Sequence, residues 1–338
     1  MASRNIKIFQ FIYRINKGCE REMKKLAVTF SALTDERLEQ IQQIAANYEV
    51  VQMKSNDEQI KDCEIIFGGI KPAFLKKASN LKWLHTSFAG VDSLLKPEIN
   101  FPKDVILTNS AGTYGIAISE YLLTITLMLM RRNLEYAKLQ FQNTWKPLGT
   151  VKCIYGSKVC VVGLGDIGEN YAKRCQALGA TVTGVVRTPR ATKPNSIDAL
   201  YTIDKLEVAI ADADVIALCL PGTSETVGLF NEARLNKMKP GALLLNIGRG
   251  TAVDTKALVT ALESGQIGGA GLDVTDPEPL PSDSTLWQMD NVIITPHISG
   301  NQTLELTNDL IVNKFIKYLQ DYIAGRKFER IVDKELGY

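Results

Sequence analysis

Histidine is scarce in this chain: 338 residues contain only two, His85 and His297. Six cysteines are present, but no Cys-x-x-Cys pair, so no zinc cluster of the usual spacing can be assembled from these ligands. Cys19, Cys63, Cys153, Cys160, Cys175 and Cys219 read instead as reduced thiols of a cytoplasmic protein. An excess of either charge is also missing. Lys and Arg number 39 against 37 acidic residues, so no concentrated basic face for nucleic acid is expected. Nor is there a run fit to cross a membrane, because the most apolar stretch, residues 116–130, is too short and carries Glu120, Thr124 and Thr126. What remains is a balanced globular chain, long enough for two separate cores.

Residues 1–22 do not fit the rest. Met23-Lys24-Lys25-Leu26 reads as a chain start running into a first strand, which makes the preceding segment an extension, disordered or from an upstream start. Its apolar stretch is broken by Gln10 and no small-residue cleavage site follows, which argues against a secretory signal.

From residue 26 onward, short apolar runs alternate with helix-length segments. The runs at 26–30, 50–53, 65–67, 83–86 and 106–108 are strand candidates, the pattern of a parallel sheet with crossover helices. Residues 116–130 are apolar nearly all round, which predicts a helix buried on several sides, connecting two domains and contributing to a dimer interface. A second alternation follows, with strands at 158–162, 181–186, 215–219, 242–246, 269–274 and 292–295. The last helix, 303–323, carries Ile311, Phe315, Tyr318, Leu319 and Tyr322 and stops at Gly325, so it should return to the first sheet.

Between the strand at 158–162 and its following helix stands Gly163-Leu164-Gly165-Asp166-Ile167-Gly168. Glycines at this spacing, after a strand and opening a helix, suit the pyrophosphate of a dinucleotide, which the helix N-terminal amides would face. Gly163, Gly165, Asp166, Ile167 and Gly168 are the candidate contacts, with Pro221, Thr226 and Ile247 after two later strands. An NAD site places an acid at the end of the second strand to meet the ribose hydroxyls. Here that stretch reads Val186-Arg187-Thr188-Pro189-Arg190. Arg187, Thr188 and Arg190 can all meet a 2′-phosphate, so NADP(H) is favoured, with NAD(H) the alternative.

Downstream lie an arginine, a carboxylate and a histidine: Arg249, Glu278 and His297. A guanidinium fork grips the carboxylate of a 2-keto acid in a fixed orientation. As hydride reaches the keto carbon, charge develops on the oxygen, and a histidine within reach supplies the proton. A carboxylate on the far ring nitrogen fixes the ring and favours its protonated form, the task assigned to Glu278. Asp273 is then left to face the cofactor, which Arg249 and His297 also border, and no metal is called for. Taken singly, each has an ordinary explanation as a structural histidine, an ion-paired arginine or a solvated carboxylate. His85, at the end of an apolar run, reads as structural.

In these motifs and their order the chain resembles the D-isomer-specific 2-hydroxyacid dehydrogenases from about residue 23 onward. The resemblance rests on the loop Phe88-Ala89-Gly90-Val91-Asp92, on Asn246-Ile247-Gly248-Arg249-Gly250, on Gly271-Leu272-Asp273-Val274 followed by Glu278-Pro279, and on Thr295-Pro296-His297. Glu278 stands where the formate-oxidising branch has Gln. The resemblance implies an α/β fold of two parallel-sheet domains, with a Rossmann-type cofactor domain, 126–299, inserted into a flavodoxin-like substrate domain of 23–125 and 300–338. It also implies that backbone amides at Ala89 and Gly90 receive the substrate carboxylate, with Tyr114, Arg249 and His297 beside it, and that the product is a D-2-hydroxy acid. Residues 140–147 resemble the arm that crosses to a second subunit in glyoxylate and hydroxypyruvate reductases, so a homodimer is expected, with Trp145 near the neighbour's site or anchoring the interface. Two alternatives share the fold: a nucleotide-sensing corepressor-like protein, disfavoured by the lack of a long disordered tail, and 3-phosphoglycerate dehydrogenase, disfavoured by a chain ending at Tyr338.

Overall fold

Among the described residues the alternating runs form twelve strands, every one paired in parallel with its neighbours. The computed structural model describes residues 23–300 and 302–338; the extension expected over 1–22 lies outside them. Two compact units emerge. One holds residues 23–87, Lys96–Asn109 and Val312–Val332, the other Phe88–Leu95, Ser110–Ile311 and Asp333–Tyr338. Among the described residues no helix is long and apolar enough to cross a membrane.

The first unit is a five-stranded sheet of β1 (Lys24–Val28), β2 (Tyr48–Gln52), β3 (Cys63–Gly68), β4 (Trp83–Thr86) and β5 (Ile106–Asn109), in the order β2-β1-β3-β4-β5. Its strands β3 and β4 are buried along their whole length, which is why they read as short apolar runs, with Glu64, His85 and Thr86 as their buried polar members. The last helix, Glu305–Ile323, supplies the aromatic cover that its periodicity predicts. Phe315 stacks on Phe67 with centroids 3.9 Å apart, and Trp83 lies against Phe315 and Tyr322. His85 sits fully buried in this cluster, with Nδ1 2.7 Å from the Thr108 hydroxyl, which also accepts from Trp83 Nε1 at 2.8 Å.

The second unit is a seven-stranded sheet of β6 (Lys158–Val162), β7 (Thr181–Val186), β8 (Ala199–Thr202), β9 (Val215–Leu218), β10 (Ala242–Asn246), β11 (Ile267–Leu272) and β12 (Val292–Ile294), ordered β12-β11-β10-β9-β6-β7-β8. From β6 the chain builds outward through β7 and β8, then returns to add β9 on the other side. Strand order therefore reverses between β6 and β9, the kind of point where open parallel sheets bind ligands at their carboxyl ends. One strand was not anticipated, and several others, β11 among them, are offset from the expected limits. β8 was not anticipated: as an edge strand its residues are all half-buried, and no in-out alternation marks it. β11 starts two residues early because the buried Ile267 pairs with Ala242, ahead of the Gly268-Gly269 pair.

Helix Gly115–Met130 buries Ile118, Leu122, Ile125 and Met130, and lies along helix Asp166–Ala177, to which Thr126 is joined by a 2.8 Å hydrogen bond with Tyr171. Ile116 and Leu127 remain more than a third exposed.

Burial, with a smaller contribution from Lys314, lowers the His85 pKa from 6.5 to about 3. The unfolded chain takes up this proton near 6.5 and the folded chain does not, so stability falls as pH drops through the window from 6.5 toward 3. Between pH 7 and 5 the loss should be about 2 kcal/mol in urea unfolding, above the range in which ordinary carboxylates titrate. His85→Gln should flatten that interval whatever its effect on absolute stability. An equal loss in the variant would place the acid sensitivity elsewhere.

Candidate active site

The turn after β6 is built by three glycines with different constraints. A Cβ on Gly163, at φ +96°, would lie 2.5 Å from the Cys219 carbonyl oxygen, and one on Gly168 would lie 2.0 Å from that of Gly163. Gly165, by contrast, faces open space. The outer two thus let strand, turn and helix close on one another, and the middle one leaves an approach to the helix N-terminus, which no side chain caps. A pyrophosphate fits that cradle. Asp166 turns its carboxylate elsewhere, accepting from the Gly115 amide at 2.6 Å and from Asn170 Nδ2 at 3.1 Å, while Ile167 is half-buried.

Beyond β7, Val186 is buried and Arg187, Thr188 and Arg190 are exposed. Each arginine has an acidic neighbour: Arg187 lies 3.7 Å from Glu225 and over the Tyr338 ring at 5.1 Å, and Arg190 lies 2.6 Å from Glu169. Neither Glu225 nor Tyr338 was expected, because only folding brings them to this strand end. After β9 the loop closes on itself, Thr226 Oγ1 donating to the Pro221 carbonyl at 2.8 Å. Ile247, beyond β10, is buried.

Asn246, the last residue of β10, shapes the loop that carries Arg249. Its Nδ2 donates to the Arg249 carbonyl at 2.9 Å and its Oδ1 accepts from the Gly248 amide at 3.1 Å. The guanidinium then donates through Nη1 to the Gly248 carbonyl at 2.7 Å, and through Nε and Nη2 to Asp92 Oδ1 at 3.1 and 2.6 Å. It lies so close to the backbone of the loop Phe88-Ala89-Gly90-Val91-Asp92 that a Cβ on Gly90 would be 1.7 Å from Nη2. Burial would raise the Asp92 carboxyl, but the Arg249 hydrogen bond and charge outweigh it, and His297 adds to them, so its pKa is lowered.

His297 follows β12 in a turn with φ +53°, a left-handed conformation that non-glycine residues seldom adopt. The buried Asp273 holds that turn. Its Oδ1 accepts from Thr295 Oγ1 at 2.6 Å and the Ile298 amide at 2.9 Å, its Oδ2 from the Ser299 amide at 3.0 Å, and its carbonyl from the His297 amide at 2.8 Å. Both oxygens that were expected to face a cofactor are thus engaged by this turn. His297 Nδ1 meets Glu278 Oε1 at 2.8 Å, and Nε2 has no partner among the described residues.

Glu278 and His297 are thus paired, Gly90 lies against the Arg249 guanidinium, and His297 is near enough to act electrostatically on the Asp92 carboxylate that holds Arg249. No role was expected for Asp92. Tyr114 is 4 % exposed, its hydroxyl accepting from Gln302 at 3.3 Å and its ring against Gly300, and burial raises its pKa. Phe88 and Trp287 are exposed, Trp287 Nε1 donating to the Pro281 carbonyl at 2.9 Å.

The chain is similar to known proteins over most of its length. The profile of the D-isomer-specific 2-hydroxyacid dehydrogenase NAD-binding domain matches residues 123–299. A glyoxylate reductase of Pyrococcus furiosus is 31 % identical over 82 % of this chain and 85 % of its own length. A D-3-phosphoglycerate dehydrogenase of Synechocystis is 33 % identical over 74 % of this chain and 44 % of its own. Among solved structures, a D-isomer-specific 2-hydroxyacid dehydrogenase of Xanthobacter autotrophicus, in complex with NADPH and MES, is 27 % identical with a TM-score of 0.79, covering 94 % of this chain and all of that one.

Proposed function

Since the chain belongs to the D-isomer-specific 2-hydroxyacid dehydrogenase family, and is an NAD(P)-dependent oxidoreductase acting on a CH–OH group, we propose that it reduces a small 2-oxo acid of the glyoxylate, hydroxypyruvate or pyruvate type to the D-2-hydroxy acid. The observation that carries this reading is the His297 ring, bonded through Nδ1 to Glu278 and free at Nε2, in the same site as Arg249. A nicotinamide cofactor, when bound, supplies the hydride. Arg249 holds the substrate's carboxylate and polarises its carbonyl, and the backbone at Ala89 and Gly90 supports the same carboxylate. His297 Nε2 gives the proton that the carbonyl oxygen needs as it becomes a hydroxyl. Glu278 accepts from Nδ1 and aims the ring, so that Nε2 is the nitrogen that exchanges the proton. The five described cysteines, all free thiols, suit a cytoplasmic setting.

Assays of glyoxylate, hydroxypyruvate, pyruvate, branched 2-oxo acids and 3-phosphohydroxypyruvate, read by loss of NADPH or NADH absorbance, test the reading. Turnover is expected with the small unphosphorylated acids. His297→Ala should lower kcat by about 10²- to 10⁴-fold with cofactor affinity little changed, and Arg249→Ala should also raise KM for the acid. Near-full activity in His297→Ala would refute the mechanism, and no turnover with any acid would favour a regulatory protein.

NADPH is proposed as the preferred cofactor, supported by the missing acid after β7 and the exposed Arg187 and Arg190. Charge-assisted bonds of about 1.5–3 kcal/mol each make a preference of one to two powers of ten. Val186→Asp with Arg187→Ala should reverse it, and equal use of both cofactors by the parent protein would remove the phosphate site.

A symmetric homodimer is proposed from the large apolar side chains that the second unit leaves in solvent: Trp145 is fully exposed, Phe141 88 % and Tyr155 77 %. Light scattering should report twice the 37.3 kDa chain mass. A stable, active monomer would rule the dimer out.

A further inference from the structure

An arginine that must present a flat fork to a small anion needs its own long side chain held still. Free, it samples many rotamers, and Arg249 is a quarter exposed, so packing alone does not hold it. The structure supplies two anchors. Asp92 Oδ1 takes Nε and Nη2, and the Gly248 carbonyl takes Nη1. Three of the five N–H groups are thereby used, leaving one on each terminal nitrogen for a substrate.

Asp92 is itself well placed for this. It closes the loop Phe88-Ala89-Gly90-Val91-Asp92, and the turn after it is tied by the Leu94 and Leu95 amides to the Val91 carbonyl at 2.9 and 3.2 Å. Gly90 gives the guanidinium room to lie on the loop's backbone, since any Cβ there would overlap Nη2. The Arg249 hydrogen bond and charge outweigh burial and keep the Asp92 carboxyl below its usual range, so the acceptor stays ionised through neutral pH. We infer that Asp92 is a positioning residue: by occupying the Nε side of Arg249 it fixes the guanidinium against the loop at Gly90, so that the remaining N–H groups and the loop backbone form one seat for the substrate carboxylate. The inference rests on the 2-oxo acid reading above.

The test compares Asp92→Ala and Asp92→Asn, in the full chain, by steady-state kinetics and by calorimetric binding of oxalate, a small anion that cannot be reduced at a keto carbon. In Asp92→Ala the KM for the 2-oxo acid should rise, and oxalate affinity fall, roughly ten- to a hundredfold, the scale of a displaced orienting group, with KM for NADPH within about twofold. Asp92→Asn keeps an acceptor oxygen and should recover most of the loss. In an Arg249→Ala background, Asp92→Ala should add less than about threefold, because no guanidinium remains to be held. If the alanine variant fails to fold, Asp92→Ser, too short to reach Nε, should give the same rise. An unchanged or lower KM in Asp92→Ala would make Asp92 a bystander or a competitor of the substrate and would overturn the inference, as would a fully additive loss in the Arg249→Ala background. A parent protein that binds oxalate yet reduces no 2-oxo acid would defeat the dehydrogenase reading alone, with Asp92 then judged by oxalate affinity. One that neither binds oxalate nor reduces any 2-oxo acid would defeat both.

Discussion

Three donors from a single turn, Thr295 Oγ1 and the amides of Ile298 and Ser299, converge on the carboxylate of Asp273, whose backbone carbonyl also accepts from the amide of His297. A buried carboxylate is tolerable only when its lone pairs are satisfied, and here the satisfying groups all belong to the segment that presents His297. The left-handed conformation of His297 is sustained by those bonds. With the turn held, the ring meets Glu278 through Nδ1, and Nε2 has no partner among the described residues. Asp273 lies directly after β11 and the turn directly after β12, so the clamp joins the carboxyl ends of two adjacent strands.

The rest of the site draws on the same construction. Asn246 stands at the end of β10, next to β11, and ties down the loop of Arg249. The glycine turn stands at the end of β6, on the other side of β9. Parallel pairing brings all these carboxyl ends to one edge of the sheet, which is how segments separated by more than a hundred positions in sequence come to lie along the same edge. Family membership and the NAD(P)-dependent chemistry follow from this arrangement together with the similarity across most of the chain.

Much of the fold was legible beforehand. Buried parallel strands read as short apolar runs, and β4, β6, β7 and β10 match the expected limits residue for residue. The glycine fingerprint was legible because each glycine answers a local demand for space, either room for a neighbouring carbonyl or access for a ligand. β8 was not, because an edge strand with every residue half-buried has no periodicity to read.

Local chemistry, then, was determined by the sequence itself: which strands and turns form, which residue types are on hand for a carboxylate, a proton and a phosphate, and in what order they come. Partnership was decided by tertiary structure. Asp92 and Arg249 are 157 positions apart, and nothing in either segment names the other. Glu225 and Tyr338 reach Arg187 from separate parts of the chain, and Asp273 turned out to face the histidine turn. A charged side chain declares in sequence that it needs a partner, but which partner it finds depends on distances that exist only once the strands have paired.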